Sequence, residues 1–203
     1  LFAGLTCSAT YHDAWISFPE RLGIELLQDA ERAGSGSVAL NYAELTQKGG
    51  SFVLLDHESD TRLPVSPKVV VNAAGAHAYH LACSVGLELP IVPVRHEYFV
   101  TIHAEGFHPL LPVVRIPDAT LYLRAETGAL LCGGWEPESL SADPRQFPLE
   151  GDPPPIDPDW DVLGEFANQL SPLFPQVNEL GIRSVFKGWP TFTPDGRFII
   201  GPS

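Results

Sequence analysis

Methionine is absent from all 203 residues, and the chain opens on Leu1. With an ending, Gly201-Pro202-Ser203, that reads as a strand running into a loop, the expectation is a fragment, or a sequence from which pieces are missing. Cysteine is scarce: Cys7, Cys83 and Cys132 are widely spaced and odd in number. That argues against a disulfide framework or a zinc site, and for a reducing, cytoplasmic compartment. The three read as buried, small apolar residues. Basic residues are outnumbered, 12 Lys and Arg against 25 Asp and Glu, for a formal charge of −13. That sign argues against a nucleic acid or an anionic membrane as the main partner. No apolar run approaches the ~20 residues that span a bilayer. Also missing are Gly-x-Gly-x-x-Gly, a Walker loop, a Gly-x-Ser-x-Gly elbow and His-Glu-x-x-His. His77 and His80, with His103 and His108 further on, lack a matching carboxylate or thiolate pattern, so no metal is expected.

What is present is core material. Apolar residues make up 44% and charged residues 18%, enough for one large domain or two small ones. Ser17-Phe18-Pro19-Glu20 reads as a helix start, with Ser17 as cap and Pro19 in the first turn. Leu22, Leu26, Leu27, Ala30 and Ala33 follow at helical spacing, and Gly34 ends the helix. Val38–Tyr42 and Ser51–Asp56 read as strands around the Gly49-Gly50 turn. Lys68–Asn72 reads as a buried strand, running into Ala73-Ala74-Gly75-Ala76 and a helix from about His77 to Val85.

From residue 92 the pattern changes. Val92 to His103 alternates, with His96 and Tyr98 on one strand face and Arg95, Glu97, Phe99 and Thr101 on the other. Leu121–Arg124 and Ala129–Trp135 form a hairpin around Thr127-Gly128. Residues 141–158 are a proline-rich, acidic loop. A helix then starts at Asp157-Pro158, with an apolar stripe of Leu163, Phe166, Ala167, Leu170 and Phe174. Ile182–Lys187 is a further strand. Pro194-Asp195-Gly196 is a turn, followed by a strand from Phe198 to Ile200.

Three segments carry chemistry. The small-residue turn 73–76 lets a backbone or a ligand approach closely, although any strand-to-helix turn in an α/β fold shares that look. His96 is either a satisfied core histidine or, with Tyr122 and Arg124 on a neighbouring strand, part of a site for a carboxylate and an amine or alcohol. Arg124 alternatively pairs with Glu126 or Glu136 at the surface. The 192–202 segment is, by physics alone, an edge turn.

Together these segments resemble the D-amino-acid-oxidase-like superfamily of FAD-dependent oxidoreductases. The match runs in family order through Val-Val-Asn-Ala-Ala-Gly-Ala (70–76), Pro90–Thr101, Leu111–Arg115, Leu121–Arg124, Gly133–Pro137 and Thr193–Pro202. Those segments are similar to the dimethylglycine/sarcosine dehydrogenase branch. Tyr11-His12-Asp13-Ala14, Glu20-Arg21-Leu22, Asp29-Ala30 and Asn41-Tyr42 instead resemble the glycerol-3-phosphate dehydrogenase branch. The resemblance implies an α/β (α+β) chain. It divides into part of a Rossmann-like FAD-binding domain (1–87), a mixed or antiparallel-sheet substrate domain (88–187) and a return to the FAD domain (188–203). The fingerprint glycines would lie upstream of Leu1.

Carried over by motif, Ala74, Gly75, Gly196, Ile200 and Gly201 would approach the FAD, and His96, Tyr122, Tyr98 and Arg124 would face the substrate. The implied reaction oxidises the C–N bond of a small secondary or tertiary amine. Oxygen, a quinone or an electron-transfer flavoprotein would be the electron acceptor, and the protein is a possible oligomer. A glycerol 3-phosphate enzyme and a non-catalytic subunit that keeps the fold are the alternatives.

Overall fold

The computed structural model describes residues 4–34, 36–48, 50–103, 105–149 and 152–202. The chain divides into two compact units, one spanning Ser8–Val71 and the other holding the chain from Asn72 onward.

In the first unit, helix α1 covers Pro19–Arg32. Its first turn closes from the Leu22 amide to the Phe18 carbonyl at 3.0 Å. Phe18 is therefore the cap residue and Ser17 stands outside the helix, which corrects the expected cap. Pro19 at the first helical position loses no bond there. Arg21–Glu25 and Arg32–Asp29 ion pairs at 2.8 and 2.9 Å line its surface. The helix ends at Ala33, followed by Gly34. None of its residues is buried, and Leu22, Leu26 and Leu27 are exposed.

Strands β1 (Ala43–Lys48), β2 (Ser51–Asp56) and β3 (Thr61–Val65) form an antiparallel meander. Lys48 pairs directly with Ser51, so the two-residue connection fixes 43–48, and not 38–42, as the partner of β2. Tyr42, at φ +51, breaks the extended run just before pairing begins. Lys68–Asn72 forms no ladder among the described residues, and Val69 and Val71 stay exposed. A strand exists only through a neighbour that takes its N–H and C=O groups, and composition cannot supply one.

In the second unit, the Asn72 side chain organises the small-residue turn. Its Oδ1 accepts from the Ala74 amide at 3.3 Å and its Nδ2 donates to the Ala78 carbonyl at 2.9 Å. A 3₁₀ turn at Gly75–His77 leads into helix α2 (Ala78–Cys83). The expected continuous strand 92–103 is two strands, β4 (Val92–Pro93) and β5 (His96–Thr101). Between them the chain changes partners: the Val94 amide donates to Pro190 and the Arg95 amide to Leu140.

Strands β6 (Val114–Ile116), β7 (Leu121–Glu126), β8 (Ala129–Gly134) and β9 (Ile182–Gly188) complete a five-stranded antiparallel sheet, ordered β6-β7-β8-β5-β9. The β7–β8 hairpin closes through Thr127 and Gly128, both at positive φ, the geometry that matches strand twist. Helix α3 (Trp160–Leu170) is capped by Asp159, whose side chain accepts from the Val162 amide, and not by Asp157. Leu163, Phe166 and Leu170, with Phe174 and Val177 beyond, pack against Phe99, Leu121, Leu123, Leu130 and Cys132. This is the core, and it lies on one face of the sheet.

Strand β10 (Thr191–Phe192) pairs with β4. The Pro194-Asp195-Gly196 turn closes with the Gly196 amide on the Thr193 carbonyl at 3.0 Å. The expected strand 198–200 forms no ladder among the described residues, with Phe198 and Ile200 exposed. Cys132 is buried, as expected, whereas Cys7 and Cys83 are exposed; both sit outside the core-facing strands. Among the described residues no helix is long and apolar enough to cross a membrane.

Candidate functional site

The sheet face opposite α3 carries the candidate site. Arg115, Tyr122, Gly133, Tyr98 and Phe186 are directly paired in a row across all five strands. Directly paired residues of antiparallel strands project to one face. Residues two positions along share that face, which places Arg124, Leu131 and Val100 on one side of the row and His96 on the other.

His96 is the centre of the arrangement. Its Nε2 and the Tyr122 Oη are 2.7 Å apart. The Trp135 indole stacks on the imidazole, with ring centres 3.9 Å apart and planes 20° from parallel. Phe192 meets Trp135 edge-on at 5.5 Å. The other ring nitrogen, Nδ1, is buried and has no hydrogen-bond partner among the described residues. Burial holds the imidazole pKa below its ordinary value, and the nearby Glu136 carboxylate partly opposes this. Burial also pushes the Tyr122 phenol well above its usual range, helped by neighbouring Tyr98 and Cys132. At neutral pH both partners are uncharged, so the pair holds a proton donor and an acceptor in contact without a net charge.

Tyr122 reaches His96 across strand β8, a span of two strand spacings, or about 9–10 Å. Gly133 makes room for it. A Cβ at that position would collide with the Tyr122 hydroxyl, and would stand 2.5 Å from Cζ and 2.7 Å from the Tyr98 Cβ. Tyr98 stacks on Phe186 at 4.9 Å. Arg124 realises the surface alternative: its Nη2 pairs with the Glu126 carboxylate at 2.8 Å. Its Nε is buried without a hydrogen-bond partner among the described residues.

The residues expected on the cofactor side are placed differently. Ala74 and Gly75 begin the 3₁₀ turn, while Gly196, Ile200 and Gly201 lie on the exposed segment after β10. A Cβ on Gly75, Gly196 or Gly201 would meet nothing within 4 Å. A cleft of about 550 Å³ opens between Ala76, His77, Phe147, Gly188 and Trp189, under the prolines of 153–155. Gly188 is the residue paired with His96, so this cleft adjoins the aromatic face. None of these five residues is in its wall, although Ala76 follows Gly75 directly.

The sequence profile of the FAD dependent oxidoreductase (DAO) family matches residues 2–203. The chain belongs to that family. The chain is 34% identical over 136 residues to the mitochondrial sarcosine dehydrogenase of Mus musculus, covering 65% of this chain and 14% of the relative. To the mitochondrial dimethylglycine dehydrogenase of Homo sapiens it is 31% identical over 141 residues, covering 66% and 16%. It thus spans about one seventh of the length of such relatives. A crystal structure of the glycerol-3-phosphate dehydrogenase from Bacillus halodurans, complexed with FAD, superposes with a TM-score of 0.60 at 19% identity, over 85% of this chain and 35% of that one. That likeness speaks for the fold.

In this member of the FAD dependent oxidoreductases, the reverse side of β5 carries a buried charge cluster. Arg95 pairs with Glu97 at 2.9 Å, Glu136 at 3.3 Å and Asp159 at 2.8 Å. The Asp159 amide donates to the second oxygen of Glu97 at 3.1 Å. The cluster ties β5 to the turn after Trp135 and to the start of α3. Sequence reasoning did not single out Trp135, Gly133 or Arg115 as site residues. Their roles depend on the β5–β8 and β6–β7 registers, which no local pattern encodes.

Proposed function

We propose that this chain supplies the substrate face of an FAD-dependent enzyme that oxidises the C–N bond of a small secondary or tertiary amine of the N-methylglycine type. On this reading residues 88–187 form the substrate layer, and 1–87 with 188–203 belong to the cofactor domain. The observation that carries it is the neutral His96–Tyr122 pair with Nδ1 buried and unmatched. A buried polar atom without a partner is costly, and an amine proton is a partner it can accept.

The residues present fit FAD. The backbone at Gly75, Gly196 and Gly201 is open to close approach, and the cleft beside Gly188 is mainly apolar in its walls. Ala74, Gly75, Gly196, Ile200 and Gly201 would hold the cofactor. What bound FAD supplies is an acceptor for the hydride that leaves the carbon next to nitrogen.

The chain's own residues do the rest. An ammonium has no lone pair to assist hydride departure, so the substrate must first lose a proton. In the tautomer with the proton on Nε2, His96 donates to the Tyr122 Oη and presents the Nδ1 lone pair to the substrate nitrogen. Tyr122 then keeps its hydrogen bond while the imidazole gains charge. Trp135 holds the ring in place and excludes water from one of its faces. Tyr98, beside Tyr122, adds aromatic wall, and Arg124 enters as a rim residue whose charge Glu126 offsets. The imine formed from an N-methyl group hydrolyses to formaldehyde.

The electron acceptor would be oxygen, a quinone or an electron-transfer flavoprotein, which turnover under argon begins to separate. The exposed thiols of Cys7 and Cys83 favour a reducing, cytoplasmic setting.

The test is turnover by the full-length, flavin-loaded protein. Sarcosine or dimethylglycine should release formaldehyde, and glycerol 3-phosphate should not be oxidised. A yellow protein that oxidises glycerol 3-phosphate and neither amine would overturn the reading. A full-length protein that binds no flavin would identify a non-catalytic relative.

A further inference from the structure

An N-methyl amino acid carries a carboxylate as well as an amine, and the carboxylate needs a cation. Among the described residues, the sheet face that carries His96 holds two candidates, Arg115 and Arg124. Arg124 already sits 2.8 Å from the Glu126 carboxylate, so its charge is largely offset. Arg115 is exposed and forms neither an ion pair nor a side-chain hydrogen bond among the described residues. It stands on β6, directly paired with Tyr122 on β7. Paired Cβ atoms are about 5 Å apart on one face, so the guanidinium shares its surroundings with the tyrosine that touches His96. Beyond Tyr122 the same row continues through Gly133, Tyr98 and Phe186, an aromatic and apolar surface. A guanidinium can meet a carboxylate through two parallel N–H···O bonds, which fixes its orientation as well as its charge.

We infer that Arg115 anchors the substrate carboxylate, so that the enzyme selects amino acids over simple amines of the same size. The substrate lies across Tyr122, with its acid end on Arg115 and its nitrogen at His96 Nδ1. Arg124 and Glu126 form a neutral rim. The inference rests on the amine-oxidation reading above, and its test separates the two.

The experiment uses the full-length flavoprotein and two probes. Sarcosine carries the carboxylate, and sarcosinamide replaces it with an uncharged amide. A hydrogen bond to a charged group contributes about 1.5–3 kcal/mol, which is roughly a 10–100-fold effect. Arg115→Gln should raise KM for sarcosine by about that factor, with kcat changed little. Its sarcosinamide KM should stay as in the wild type. Arg115→Lys should restore part of the loss, since lysine keeps the charge without the fork. Arg183→Gln, which removes a charge from an exposed position of β9 outside the paired row, should leave both substrates unaffected.

Calorimetric binding of methoxyacetate gives a readout without turnover, since it has the carboxylate and no nitrogen. Wild-type binding that disappears in Arg115→Gln supports the anchor even if no amine is oxidised, in which case the amine reading alone fails. Equal binding of methoxyacetate by the wild type and Arg115→Gln overturns the anchor, and so does no binding by the wild type. A KM effect confined to Arg124→Gln also overturns it, by assigning the carboxylate to Arg124.

Discussion

At the scale of single residues, the proposed chemistry turns on which protonation state of His96 is present at working pH. The free imidazole titrates near ~6.5. Burial between Tyr122 and Trp135 lowers that value, so the base form dominates at pH 7. The sign follows directly: protonation of His96 removes the acceptor, so kcat/KM should fall on the acid side, with an inflection below about 6.5. His96→Ala should remove that inflection and cost about 10²–10⁴-fold in kcat/KM at pH 7. His96→Ala with an unchanged acid limb would show that another group supplies it. The His96 alternation with Tyr98 is readable in sequence, because a strand has a period of two. The Trp135 stack is not, because it depends on which residue of β8 lies across from β5. Nor is the choice Arg124 makes between substrate and Glu126, since both partners fit the sequence equally well.

At the scale of elements, the strongest patterns belong to segments whose partners are close in sequence. The β7–β8 hairpin has a two-residue turn that sets its register, and the α3 stripe has four of its members in the core. Where a partner is remote or lacking among the described residues, as for Val69–Val71 and Phe198–Ile200, an apolar β-branched run has no ladder to join. Helix starts shift for a finer reason. Asp157-Pro158 and Asp159 both satisfy cap statistics, and the structure chooses Asp159 because its side chain also meets Arg95. Two substitutions separate these positions. Asp159→Ala removes a side-chain cap and should destabilise the protein by about 1–2 kcal/mol. Asp157→Ala should stay within about 0.5 kcal/mol, as an exposed change away from such a feature does. Denaturant unfolding of the two variants checks this; equal losses would refute the assignment of the cap.

At the scale of the whole molecule, a chain with formal charge −13 has placed three carboxylates around one buried guanidinium. Arg95 and Glu97 are almost fully buried, and Glu136 and Asp159 complete the ring. Removing one partner of a buried ionic group leaves charge uncompensated and costs about 3–5 kcal/mol. The low end applies here, because Asp159 keeps contact with water. Arg95→Met should therefore lower stability by about 3 kcal/mol at pH 7, and the pH dependence should identify the cause. In the wild type, Asp159 has its pKa lowered, first by the Val162 amide and also by Arg95. Its contribution is present above the unfolded carboxylate pKa and is lost as pH falls through the still lower folded value. In Arg95→Met the buried carboxylates face one another without a cation, so the folded state binds protons more readily than the unfolded one. Stability of the variant should then recover as pH falls from 7 to 5, where the wild type does not yet lose its own. Denaturant midpoints at the two pH values measure the gap between wild type and variant. A gap that narrows at pH 5 identifies unpaired buried charge; a gap of constant size would mean that Arg95 acts through the packing of its apolar stem, and that the carboxylate ring is incidental to how β5, α3 and the turn after Trp135 are held together.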